Sequence, residues 1–214
     1  MNDIGSVRAF NAVCILILSA IMLILGCDID FSSDRENGGS LAAVIQGFIT
    51  DTTPERDLDG IRVQITDENS GISFSDTTDV NGFFKIEGGF SGISLVLEFV
   101  DVNQEQIAIT SITVFPDAEV DLGNLSLTNG IVVFQDEITI TYVGDITENN
   151  CDINVGTIIV TRNETDVIVQ INSSTIIRRD DDDLNCQDLL ISQEVEVRGT
   201  LLTGNSIDAF ELNI

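Results

Sequence analysis

The sequence contains no histidine and no tryptophan, and it has one tyrosine and one lysine among its 214 residues. Without histidine, the chain has neither imidazole metal ligands nor the usual general base of a catalytic triad. Without tryptophan, it has no indole platform on which a sugar ring could stack. These absences exclude most familiar enzyme chemistry, and the sequence indicates no catalytic residue.

Positive charge is also scarce. The 36 aspartates and glutamates outnumber nine lysines and arginines, which leaves a formal net charge of −27. A protein of this charge repels phosphate backbones, because nucleic-acid binding depends on lysine and arginine neutralising phosphates. We therefore expect no nucleic-acid partner.

The abundant residues favour strands. The chain has 30 isoleucines, 19 valines and 18 threonines but 8 alanines. Side chains branched at Cβ fit the pleated surface of a sheet, whereas alanine is the best helix former. The composition therefore predicts an all-β protein.

The first 26 residues differ from the rest, because residues 12–26 form an apolar run. A helix of about 15 residues spans about 22 Å, which is shorter than a bilayer crossing and fits the apolar core of an export signal. The run ends in Ile24-Leu25-Gly26-Cys27, which resembles the lipobox of bacterial lipoproteins. The resemblance implies that residues 1–26 are removed and that Cys27 carries a lipid; an uncleaved short anchor is the alternative.

Residues 28–40 are polar and charged and contain two glycines, so we expect residues 27–40 to form a flexible tether. With a lipidated Cys27, the protein would be exported and held at a membrane of the bacterial cell envelope. The sequence leaves open which membrane this is.

Residues 41–128 alternate strand-like runs with turn residues, as expected for a seven-stranded sandwich. The expected strands are 42–50, 61–66, 72–75, 83–87, 93–102, 107–114 and 120–127. Residues 68–71 form the turn of a hairpin in which Gly71 adopts a positive φ. Lys85 lies in a half-buried strand and is expected to face solvent.

The segment Thr78-Asp79-Val80-Asn81-Gly82-Phe83-Phe84, together with Gly47 and residues 58–63, resembles the carboxypeptidase regulatory-like, transthyretin-like family of β-sandwich domains. In this segment Asp79 and Asn81 would cap a turn, Gly82 would take a backbone angle that other residues avoid, and Phe84 would anchor the next strand. The resemblance implies an Ig-like sandwich that stabilises, spaces or adheres and that has no catalytic residues.

Residues 129–214 again predict strands. These are 131–134, 138–143, 157–162, 166–171, 175–178, 194–202 and 207–214. Residues 193–202 and 207–209 resemble an OB-like domain of unknown function found in bacterial lipoproteins, which implies a small β-barrel; a second sandwich is the alternative. The barrel would lack the cationic groove and exposed aromatic residues of a nucleic-acid site, because we expect Phe134 and Phe210 to be core residues.

Cys151 and Cys186 are the two cysteines of the predicted folded part, and export would place them in an oxidising compartment. We therefore predict a disulfide between them, with two free thiols as the alternative. A zinc site needs more ligands of the Cys and His type than these two residues supply.

Four consecutive carboxylates lie in a loop just before Cys186: Asp180, Asp181, Asp182 and Asp183. A solvated loop is the simpler interpretation, because neighbouring residues point in different directions and lack the ligand spacing of a calcium loop. Calcium remains a weak alternative, and no other cofactor is indicated. A second acidic loop around Pro54 has the same two interpretations and contains Asp51, Asp57 and Asp59.

Together these observations predict a non-enzymatic, lipid-anchored envelope protein that serves as a spacer or as a binding module for another protein or a glycan. The alternative is an accessory subunit or a hydrolase that uses two carboxylates, as glycosidases do.

Overall fold

The computed structural model describes residues 42–90, 94–180 and 182–214. The predictions for residues 1–40, including lipidation of Cys27, and for Asp181 lie outside these residues. In the described part the chain is all-β, as the composition predicted. The described residues all belong to one compact unit. None of the helices in the described ranges is long and apolar enough to cross a membrane.

The first half contains seven strands at the predicted places. They are β1 (Ala42–Thr53), β2 (Arg62–Asp67), β3 (Ser73–Thr77), β4 (Phe83–Gly89), β5 (Ser94–Val100), β6 (Gln106–Thr113) and β7 (Glu119–Thr128). One layer has the order β4–β1–β7, and the other has the order β3–β2–β5–β6. In β2 every second residue is buried, so Val63 and Ile65 face the core while Arg62 and Gln64 do not. The structure confirms the predicted sandwich.

The segment from Thr78 to Phe84 forms the predicted turn. The Asp79 carboxylate accepts hydrogen bonds from the backbone N–H groups of Asn81 and Phe83, at 2.8 and 3.0 Å. Gly82 has a φ of +78°, and a Cβ atom there would collide with the backbone oxygen of Ile49. Phe84 is fully buried beside Phe99, with an edge-on contact between the two rings.

At one side of the sandwich, β3 and β4 are edge strands that lie beside each other. The Asp76 side chain on β3 accepts a hydrogen bond from the backbone N–H of Lys85 on β4, at 2.8 Å. Free N–H groups on an edge strand invite pairing with another chain. The aspartate therefore covers part of an edge that would otherwise be open.

The second half begins with β8 (Gly130–Phe134), which pairs with β7 and β6. The remaining strands are β9 (Thr139–Cys151), β10 (Gly156–Arg162), β11 (Thr165–Arg179), β12 (Asp182–Asp183), β13 (Glu194–Leu201) and β14 (Ser206–Asn213), with a 3-10 turn at Cys186–Asp188. Five of them close a barrel in the order β9–β10–β11–β14–β13 and back to β9, in which β11 and β14 are parallel. This is the predicted small β-barrel.

Two strand boundaries in the barrel differ from the prediction. The runs 166–171 and 175–178 belong to one strand, β11, which has an irregularity in its pairing with β14 between Ile171 and Ile176. The turn-like residues Asn172 to Thr175 form that irregularity and do not end the strand. Strand β9 continues to Cys151, beyond the expected end at Val143, because its second part pairs with β10.

Candidate binding face

The sandwich and the barrel share a continuous sheet. Strand β7 of the sandwich pairs with β1 on one side and with β9 of the barrel on the other, through Glu119 to Asp121 and Thr139 to Thr141. Because β9 also pairs with β13, the order β4–β1–β7–β9–β13–β14 crosses both halves without interruption. We call the outward surface of these six strands the shared face.

Two neighbouring rows of mainly polar side chains cross the shared face, as the strand register shows. The first row consists of Glu87, Val44, Glu119, Thr141 and Arg198. The second consists of Lys85, Gln46, Asp121, Thr139 and Thr200. Adjacent strands lie about 4.8 Å apart, so neighbouring members of a row are close enough to contact the same ligand.

A cleft of about 280 Å³ lies on the shared face where the two halves meet, and we call it the junction cleft. Its lining comes from β1, β4 and β7 of the sandwich and from β9 and β13 of the barrel. The lining residues are Val44, Gln46, Lys85, Glu119, Val120, Asp121, Thr139, Ile140, Thr141 and Arg198. Amide, hydroxyl, carboxylate and cationic groups all converge there, so the cleft can donate and accept hydrogen bonds.

The two cations of the cleft are paired with acids. Lys85 Nζ lies 2.8 Å from Glu87, and this hydrogen bond raises the pKa of Lys85. Arg198 lies 3.4 Å from Glu211 and 3.7 Å from Glu196. As predicted, Lys85 is exposed.

Two acids remain at the centre of the cleft. Among the described residues, Glu119 and Asp121 form no ion pair within 4.0 Å. Asp121 instead accepts hydrogen bonds from the backbone N–H of Gly123 at 2.9 Å and from the Gln46 amide at 3.4 Å. The centre of the cleft is therefore negative.

The loop between β6 and β7 fixes the position of the barrel against the sandwich. Its Phe115 ring is fully buried and meets the Tyr142 ring of β9 edge-on, with 5.6 Å between the ring centres. In the same loop, Asp117 accepts a hydrogen bond from Arg162 Nε of the barrel at 2.7 Å.

Burial raises the pKa of Tyr142 to about 12, and its hydroxyl donates to the Thr165 carbonyl at 3.3 Å.

Phe210 is not a core residue, contrary to the prediction. Its side chain is 49% exposed on β14, the strand next to that of Arg198. The register of β14 is irregular against both neighbours near this position, between Arg198 and Gly199 on β13 and between Ile171 and Ile176 on β11. These bulges leave Phe210 outside the alternation that buries Ala209 and Leu212. Phe134 is partly buried against the core.

The predicted disulfide between Cys151 and Cys186 is present, with 5.5 Å between the two Cα atoms. It joins the end of β9 to the 3-10 turn, where the Asn149 amide also donates a hydrogen bond to the Leu189 carbonyl at 2.7 Å. The disulfide lies within the barrel and contributes no residue to the junction cleft.

The acidic loop before Cys186 folds back on β11. Its Asp183 pairs with Arg178 at 3.4 Å, and Asp182 and Asp183 form the short strand β12. In the ranges that the structure describes, which exclude Asp181, no group of three or more acidic or cysteine side chains is placed to hold a metal ion. Calcium binding at Asp180, Asp181, Asp182 and Asp183 stays a prediction.

The second acidic loop lies at the far end of the sandwich, beside a pocket of about 170 Å³ that includes Asp57 and Asp59. Asp51 lies in β1. The main acid in this pocket is Asp101, which the sequence did not single out. Its carboxylate accepts from the backbone N–H groups of Asn103 and Glu105, and it also pairs with Arg56.

These donors lower the pKa of Asp101, with the backbone N–H of Glu105 as the largest cause. Each carboxylate oxygen of Asp101 has two donors, because the Asn103 amide also donates to the oxygen that pairs with Arg56. Few lone pairs remain for a cation, since a carboxylate has about four acceptor positions. The Asp101 carboxylate therefore stabilises its own loop.

Comparisons with known proteins give no relative: no protein-family model, no curated protein and no solved structure matches the chain. The two family resemblances therefore stay predictions. The shared face itself was not predicted, because it depends on pairing between β1, β7 and β9. The alternation of Glu119 and Asp121 along β7 was the one local signal for it.

Proposed function

We propose that the protein is an exported, lipid-anchored component of the bacterial cell envelope that binds a protein or glycan ligand in the junction cleft and catalyses no reaction. The anchor is supported by the apolar run 12–26 and by Cys27 behind it. The tether 27–40 would let the sandwich and the barrel stand away from the membrane.

The observation that carries the binding role is that both halves line the same cleft. Val44, Gln46 and Asp121 come from the sandwich, whereas Thr141 and Arg198 come from the barrel. The contacts of Phe115 and Asp117 with the barrel hold these side chains in a fixed arrangement. A ligand would then meet a site that is already formed, which lowers the entropy cost of binding.

The rival function is a hydrolase that uses Glu119 and Asp121. These residues lie two positions apart on one strand, so their Cα atoms are about 7 Å apart on the same wall of the cleft. Glycoside hydrolysis requires the two carboxyl groups to flank the scissile bond. The placement of both on one strand therefore favours binding over hydrolysis. Turnover that disappears in Asp121→Asn would establish the rival.

The experiment is photo-cross-linking in cells that produce the full chain, with a photoreactive amino acid at Thr141 in the cleft. The matched control carries the same amino acid at Glu164, an exposed position in the turn between β10 and β11. We expect an adduct from position 141 alone, whose mass identifies the ligand. The same adducts from both positions, or none from position 141, would contradict a cleft ligand.

The anchor is tested separately by intact mass. The mature chain should begin at a diacylglyceryl-modified Cys27, and Cys27→Ser should leave the membrane fraction. A variant that matures and fractionates like the native chain would show that the lipoprotein assignment is wrong.

A further inference from the structure

Exposed aromatic rings lie on the shared face on both sides of the junction cleft. Phe48 on β1 is 41% exposed, and its ring lies 5.0 Å from that of Phe83 on β4, measured between centres. Phe48 follows Gln46 on the outward side of its strand. On the barrel side, Phe210 on β14 is 49% exposed and lies one strand beyond Arg198. The face therefore carries apolar rings around a polar centre.

A ligand can form hydrogen bonds with the polar centre of the shared face only through side chains. The strands β1, β7, β9 and β13 each pair with a neighbour on both sides, so their backbone N–H and C=O groups are used within the sheet. An extended peptide cannot add to this surface as a further strand. Gln46, Thr139, Thr141 and Asp121 offer side-chain donors and acceptors. Such groups suit a ligand with many hydroxyl groups.

The charge of the face selects against an acidic ligand. Lys85 and Arg198 are engaged by Glu87 and Glu211, while Glu119 and Asp121 have no cation within 4.0 Å among the described residues. The net charge of −27 adds long-range repulsion of anions. A glycan that carries carboxylate or sulfate groups is therefore disfavoured relative to an uncharged one.

From these three observations we infer that the shared face binds an uncharged oligosaccharide that extends across the strands from Phe48 to Phe210. The aromatic rings would contact the apolar C–H faces of sugar rings, and the side chains of the junction cleft would hydrogen-bond to the sugar hydroxyls. Four strand spacings separate β1 from β14, about 19 Å, so several linked sugars are needed to reach both ends. This inference rests on the proposed binding function and names the class of its ligand.

The experiment is calorimetric titration of the full chain with two sets of oligosaccharides of increasing length. One set contains uncharged sugars only, and the other contains uronic acids with the same linkages. We expect the affinity for uncharged chains to rise with length until the chain spans the face, and we expect the acidic chains to bind more weakly. Raising the salt concentration should reduce that difference, because it screens the repulsion.

Two substitutions test the position of the ligand. Phe48→Ala and Phe210→Ala should each weaken binding of the longest uncharged chain by about fivefold, while a disaccharide should be insensitive to at least one of them. The matched control is Ile131→Ala on β8, which removes a side chain that is 63% exposed and lies outside the six strands of the shared face. It should leave the affinity unchanged.

Three results would overturn the inference. They are the absence of binding to every uncharged chain, affinity that is independent of length, and equal losses from Ile131→Ala and Phe210→Ala. The cross-linking experiment at position 141 distinguishes failure of the glycan inference from failure of the proposed binding function. A protein adduct there, together with no glycan binding, would refute the glycan inference and leave the cleft as a protein-binding site. If position 141 gives no adduct and no glycan binds, both the proposed binding function and the glycan inference are refuted.

Discussion

The sandwich and the barrel fill their interiors with different side chains. The sandwich buries several large rings, among them Phe84, Phe90 and Phe99. In the described part of the barrel the buried ring is Tyr142, and the other core residues are aliphatic apart from Cys186. Small β-branched residues bury less area per side chain than phenylalanine does. The comparison indicates that the barrel depends on added constraints, namely its disulfide and its contact with the sandwich.

The largest expected effect comes from removing the disulfide. The double variant Cys151→Ser, Cys186→Ser should lose about 4 kcal/mol of unfolding free energy, because the bond closes a loop across a sequence separation of 35 residues. Denaturant unfolding of the full chain measures this loss. The native chain in reductant should unfold like the double variant, and the double variant should not respond to reductant. A loss below about 1 kcal/mol would contradict the dependence of the barrel on the disulfide.

The next effect concerns the contact between the halves. Phe115→Ala removes a fully buried ring and should cost about 3 kcal/mol. The matched control is Phe99→Ala, because Phe99 is equally buried but contacts Phe84 within the sandwich. Both variants should be destabilised in thermal unfolding, but only Phe115→Ala should separate the transitions of the two halves. If Phe99→Ala separates them equally, Phe115 has no special role in the junction.

A smaller effect tests the turn of the sandwich. Gly82 and Gly71 both have positive φ, at +78° and +69°, but a Cβ atom at position 71 has open space whereas one at position 82 meets the Ile49 backbone. Gly71→Ala should cost about 1 kcal/mol from the backbone angle alone, and Gly82→Ala should cost more. Urea midpoints compare the two. Equal midpoints would show that the close approach to Ile49 is unimportant.

The last effect is a pH dependence that is confined to alkaline solution and that sharpens the description of the junction. Tyr142 is the sole tyrosine and the chain has no tryptophan, so ultraviolet absorbance follows its ionisation directly. Its pKa of about 12 in the folded chain should fall to about 10 in denaturant. Since folding raises this pKa, the stabilisation is complete below pH 10 and is lost as the pH rises from about 10 through 12. A folded-state transition near pH 10 would mean that Tyr142 is not buried.

Local sequence patterns were sufficient to predict the structure where the residues involved are close together in the sequence. The alternation in β2 and the turns at Gly71 and Gly82 matched the structure because each depends on a few adjacent residues. The shared face depends instead on the pairing of β1 with β7, which brings together residues such as Gln46 and Asp121 that lie 75 positions apart. Alternation does not specify which strands pair. Phe210 was misassigned for the same reason, because its exposure depends on the irregular pairing of β14 with both of its neighbouring strands.

The central claim is that the sandwich and the barrel form one cooperative unit, so that both walls of the junction cleft are lost together when the protein unfolds. Hydrogen exchange measured by mass spectrometry across a urea titration tests this directly in the full chain. Peptides from β2 and β5 should become exposed at the same urea concentration as peptides from β11 and β14, and the two midpoints should separate in Phe115→Ala. Separate midpoints in the native chain would show that the halves unfold independently and would contradict the account.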